Sequence, residues 1–166
     1  RWTSGMSEPE IVLEGLLSYR NENADDTMPV INRLLSDGEC LYGYDEINRQ
    51  IMRLVDGAGN AAVEKLSVLE AAEEEKSEDG FYYSSYISAM FVQNGEGVRL
   101  AENYGEGESS MVVERYALDT GKLIARSGAD NTLRTLCAYK DGKYLALVQP
   151  TPGPEDMEAP MSQIAV

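Results

Sequence analysis

From Phe81 onward the sequence alternates short runs rich in Tyr, Val, Ile and Phe with glycine turns, and this spacing constrains the fold more than any other feature of the chain. Asn94-Gly95 and Asp141-Gly142 each sit between apolar runs. Such dipeptides supply the left-handed backbone a tight hairpin needs, so each predicts a pair of antiparallel strands. The expected strands cover residues 81–93, 98–104, 111–118, 122–127, 132–139 and 144–148, separated by turns at 94–97, 105–108, 119–121 and 140–143.

The first eighty residues read as helices. Ser7-Glu8-Pro9-Glu10 forms a capping box, and Val12, Leu13, Leu16 and Leu17 follow on one helical face. Asp25-Asp26-Thr27 caps a second helix through about Leu35, which Gly38 ends as a left-handed cap. A third helix is expected over 44–55, with Ile47, Ile51, Leu54 and Val55 as its apolar stripe. Residues 60–76 are rich in Ala, Glu, Lys and Leu, which favours helix. The second half, 65–76, reads equally well as helix or strand.

Helices followed by a run of strands imply an α+β fold. The expectation is three or four N-terminal helices packed on a C-terminal antiparallel β-meander of about six strands. Residues 1–6 are expected as a disordered or membrane-proximal stub, 7–149 as one α+β domain, and 150–166 as a flexible tail with four prolines and three acids. The stretch Tyr116-Ala117-Leu118-Asp119-Thr120-Gly121-Lys122 resembles a propeller hairpin. A single copy makes only a hairpin, and no repeat period stands out.

The net charge is −15, of which −11 lies in residues 1–80. A field of this sign repels nucleic acid and anionic lipid, which bind through Lys and Arg. It favours a basic protein partner or simple solubility. No run of 18 apolar residues is present, so no membrane-spanning helix is expected.

The chain has no histidine. That removes His-based triads, Cys–His dyads and imidazole zinc sites. Cys40 and Cys137 form no CxxC pattern and are expected either as a disulfide, if the chain is exported, or as buried thiols. The glycine turns carry Glu96, Glu106 and Glu108, which suits hairpins and opposes a phosphate cradle. Adjacent acids are too abundant to single out a catalytic pair, and no EF-hand spacing occurs. No metal and no cofactor is therefore expected.

Two features point to binding. Tyr82, Tyr83, Tyr86, Tyr104 and Tyr116 fall on expected strands, where they would line a concave sheet that holds a small ligand or peptide. Glu73, Glu74 and Glu75 centre an acidic run suited to a basic protein, although a solvated face explains it equally well. The function expected is a non-enzymatic ligand- or protein-binding domain, as in the extracytoplasmic part of a tethered bacterial protein. The alternatives are an acidic cytosolic inhibitor, immunity or chaperone-like protein masking a basic partner, and an enzyme that works without histidine.

Overall fold

A computed structural model describes residues 7, 18–20, 27–29, 31–46, 48–57, 60–71, 86–105, 108–150 and 161–166. The chain forms two compact units, Arg1–Val68 and Leu69–Val166. In the first, β1 (Ser18–Arg20) pairs antiparallel with β2 (Thr27–Pro29). Then β3 (Arg33–Ser36), β4 (Leu41–Asp45), β5 (Gln50–Gly57) and β6 (Asn60–Val68) make a four-stranded antiparallel sheet in chain order.

The second unit holds two more sheets. One is β7 (Ile87–Gln93), β8 (Glu96–Gly105), β9 (Glu108–Ala117) and β10 (Leu123–Arg126). The other is β11 (Leu133–Ala138), β12 (Tyr144–Val148) and β13 (Gln163–Ala165). Each sheet is a meander in which every strand pairs with the next one along the chain.

This overturns the α+β expectation: the described residues contain no α-helix, and none is long and apolar enough to cross a membrane. The expected second helix is replaced by β2 and β3, and the third by β4, a turn and β5. The start of the fourth is β6. The first expected helix, which Asn21-Glu22-Asn23 would end, has β1 at its last residues, Ser18–Arg20. Apart from these and Ser7 it lies outside the described residues, as does the stretch 72–76.

The physical reason is burial on both faces. Tyr42, Gly43, Tyr44 and Asp45 are all buried, as are Ile51 and Met52. Strands covered on both sides lose the in–out alternation that betrays a strand, and two such strands around a turn can mimic a helical stripe. The turn itself is incompatible with a continuous helix, because Arg49 has φ +54°. Gly43 marks a close approach: a Cβ there would lie 2.7 Å from Ile31 Cδ1.

The six strands expected after Phe81 have counterparts in β7–β12, but they divide between two sheets rather than forming one. The expected tail contributes β13, whose Ala165, Ile164 and Gln163 pair with Ala146, Leu147 and Val148. Backbone hydrogen bonds explain this pairing where apolar content did not suggest it.

A repeat links the three meanders. Each opens with a hairpin that turns at Asp-Gly or Asn-Gly: Asp37-Gly38, Asn94-Gly95 and Asp141-Gly142. The three glycines have φ of +94°, +76° and +71°. Gly38 therefore does adopt the left-handed conformation expected of it, but in a hairpin and not at a helix end. The propeller-like hairpin also has a counterpart. Tyr116 pairs with Leu123 across a turn with left-handed Gly121, and Tyr44 pairs with Ile51 across a turn with left-handed Arg49. Both tyrosines are fully buried. The turns recur at uneven intervals, which hides the repeat from a search for one fixed period.

In the second unit the sheets pack face to face. Val98 and Leu100 of β8 meet Leu133 and Leu136 of β11, with Phe91, Val113, Tyr144 and Ala146 around them. Phe91 and Tyr144 touch edge-to-face, with centroids 5.5 Å apart. Ser88 Oγ donates to the Arg134 carbonyl and Gln93 Nε2 to the Tyr139 carbonyl, tying the two sheets along β7.

Candidate functional site

The row of side chains on the inner face of the third meander ends in small residues. Leu136 lies opposite Ala146, and Ala146 opposite Ala165. Residues opposite one another across neighbouring strands share a face, so this row runs Leu136, Ala146, Ala165 from β11 to β13. The two alanines leave space where larger side chains would fill it.

The result is an open apolar groove of about 380 Å³. Val113, Leu133 and Leu136 form its inner wall, Tyr144 and Ala146 its floor, and Ala165 and Val166 its outer lip. Lys143 stands at the rim and, among the described lining residues, is the only ionisable side chain apart from the Tyr144 phenol. A concavity of this size with few polar groups is the usual form of a binding site.

A second cluster lies on the opposite face of β8 and β9. Glu114 is fully buried, and its Oε2 accepts from Arg99 Nε at 2.6 Å and from the Tyr116 hydroxyl at 2.8 Å. Its Oε1 accepts from Arg126 Nε at 3.2 Å. The Arg99 guanidinium also stands 5.9 Å from the Tyr116 ring centre. These contacts occupy both carboxylate oxygens, so the cluster acts as a structural tie between β8, β9 and β10.

The turns carry their own electrostatics. Asp37 Oδ1 accepts from the backbone of Cys40 and Glu39, and Oδ2 accepts from the Tyr42 hydroxyl. The Cys40 N–H, most of all, holds the Asp37 carboxyl below the usual carboxylate range. Burial, followed by Asp37, pushes the Tyr42 phenol up. Asp130 is likewise held down, chiefly by the Thr132 hydroxyl. Both aspartates fix turns.

Of the expected binding residues, Tyr86, Tyr104 and Tyr116 fall among the described residues. Tyr116 is buried and spends its hydroxyl on Glu114, so it cannot line an open surface. Tyr86 is 63% exposed just ahead of β7. Tyr104 lies in β8 opposite Ser109. Tyr82, Tyr83, Glu73, Glu74 and Glu75 lie outside the described residues. Cys40 is half-buried and Cys137 exposed, and both are free thiols.

No family model, no curated protein and no solved structure matches the chain. The site is therefore read from its own geometry. Sequence reasoning missed the groove because its defining residues, Ala146 and Ala165, are small and unremarkable. The available signal was the pattern Tyr144-Leu145-Ala146-Leu147-Val148, in which a small residue interrupts one face of an otherwise bulky strand.

Proposed function

We propose that the chain is a non-enzymatic binding domain that holds an extended polypeptide in the groove beside β13. The observation that supports this reading is the lining of the groove, aliphatic apart from Tyr144 and the rim residue Lys143. Among the described lining residues no side chain carries a carboxylate, thiol or hydroxyl other than the Tyr144 phenol, and the sequence has no histidine to act as a general base. What it offers is apolar surface, worth about 25 cal/mol for each Å² a ligand removes from water. The partner suited to it is an apolar segment of neutral or acidic character. A basic segment would meet Lys143.

Peptide display against the intact chain tests the reading. Selected peptides are expected to carry apolar residues at alternate positions. Ala165→Glu should weaken them about tenfold or more, because it puts an unpaired carboxylate against the apolar lip. Binders indifferent both to Ala165→Glu and to Lys143→Glu would place the binding surface elsewhere.

A further inference from the structure

We infer that Asn94, in the turn between β7 and β8, is a site of spontaneous covalent change: the Gly95 nitrogen attacks its side-chain amide, ammonia leaves, and the isoaspartate that forms loosens the neighbouring β11–β12 turn. This chemistry does not depend on the groove-binding reading.

The reaction needs a side-chain amide next to an unhindered backbone nitrogen, which is why asparagine counts among the thermolabile residues. Asn94-Gly95 is the only Asn-Gly pair in the sequence. Gly95 has no side chain to shield its nitrogen, and even a Cβ built there would meet no atom within 4 Å. Both residues are exposed, and both take the left-handed backbone, at φ +53° and +76°. Among the described residues, no hydrogen bond holds the Asn94 side-chain amide or the Gly95 N–H. The Leu118 N–H holds the Gly95 carbonyl instead, at 3.2 Å. The turn is thus anchored on its carbonyl side and open on its amide side.

The step balances with water as the only co-reactant. The Gly95 nitrogen bonds to Asn94 Cγ while the Cγ–Nδ2 bond breaks. The proton lost from Gly95 leaves with Nδ2 as ammonia, and a cyclic imide remains. Water then opens the ring at either carbonyl and gives aspartate or isoaspartate, with nothing oxidised or reduced.

The other two hairpins are internal controls. Asp37 and Asp141 stand before Gly38 and Gly142. A carboxylate is a poor electrophile and has no ammonia to lose. The Asp37 oxygens are also engaged, accepting from the backbone of Glu39 and Cys40 and from the Tyr42 hydroxyl. Of the three turns, only the middle one carries the reactive amide.

The change falls on the join between the second and third meanders. Gln93 Nε2 donates to the Tyr139 carbonyl, and a Cβ on Gly142 would lie 3.3 Å from Asn94 Nδ2. The β7–β8 turn therefore rests on the β11–β12 turn. That turn is closed by the Tyr139 N–H on the Lys143 carbonyl at 2.8 Å and the Lys143 N–H on the Lys140 carbonyl at 3.2 Å. Isoaspartate routes the backbone through the side chain and adds a methylene to a two-residue turn. Such turns have a fixed geometry, so the added atom displaces Gln93 or residue 94 from the third meander. Ordinary aspartate fits, since Asp141 takes φ +58° before its own glycine.

The test ages the intact chain at mildly alkaline pH, digests it with trypsin and reads the fragments by mass spectrometry. Asn94 lies in fragment 77–99, which holds no other asparagine. It is expected to gain the mass of an amide-to-acid exchange at least about tenfold faster than Asn32, Asn48 or Asn131. Isoaspartyl methyltransferase should label the product. In the converted fraction, amide hydrogen exchange at Tyr139 and Lys143 should rise about threefold or more. Asn94→Asp, which has no ammonia to lose, should keep the unaged exchange rates. Conversion of Asn94 no faster than of the other three asparagines would overturn the site. Conversion with unchanged exchange at Tyr139 and Lys143 would overturn the loosening. Equal loosening in Asn94→Asp would overturn isoaspartate as its cause.

Discussion

Replacing Glu114 with alanine is expected to lower the unfolding free energy of the second unit by about 3–5 kcal/mol, the usual cost of removing one partner of a buried ion pair. Glu114 is fully buried, and the Arg99 side chain is 3% exposed. The carboxylate joins Arg99, Arg126 and the Tyr116 hydroxyl from three adjacent strands. Its loss leaves the Arg99 charge in a low-dielectric site without that counter-charge. Glu114→Gln keeps the shape and loses the charge, so it should fall between wild type and alanine. The exposed pair Arg53–Glu64 is the control: its side chains are 41% and 50% exposed, and Glu64→Ala should leave the urea midpoint almost unmoved. A Glu114→Ala protein within about 1 kcal/mol of wild type by urea titration would show that the cluster is not a tie.

Leu100→Ala should cost about 2–5 kcal/mol, the range for a large-to-small change in a packed core. Leu100 is fully buried in β8 on the face that meets Leu133 and Leu136, and the shortened side chain leaves a void between two sheets. Leu34→Ala, at a position 65% exposed, should stay within about 0.5 kcal/mol. Equal effects at the two positions would refute face-to-face packing of the second and third meanders. Since Glu114 of β9 pairs with Arg99 of β8, and Leu100 is the next residue along β8, the two core variants probe opposite faces of the same sheet.

How far the fold was legible depended on which residues carried the signal. Asn94-Gly95 and Asp141-Gly142 announce their hairpins because the turn demands a left-handed backbone that few other residues adopt cheaply. Asp37-Gly38 makes the same demand, but a helix end satisfies it equally well, and the neighbouring apolar residues tipped the reading the wrong way. In β6, Ala61, Ala62, Glu64, Lys65 and Leu66 are good helix formers. Pairing along nearly the whole of β5, with Arg53 bonded to Glu64 across the strands, overrides that preference. The groove was less legible still. Its aromatic floor, Tyr144, belongs to an expected strand, but the space arises from alanines on β12 and β13, and the pairing of β13 is set by backbone groups that sequence patterns do not report.

The account stands on a repeated antiparallel meander, and backbone proton contacts in the isotope-labelled protein test that most directly. Contacts are expected across the hairpins between Tyr44 and Ile51 and between Tyr116 and Leu123, and across the third sheet from Leu136 to Ala146 and from Ala146 to Ala165. Their presence would establish the strand order β11-β12-β13 of the third sheet. Helical contacts three and four residues apart through residues 44–55, or the absence of any contact between Ala146 and Ala165, would contradict it.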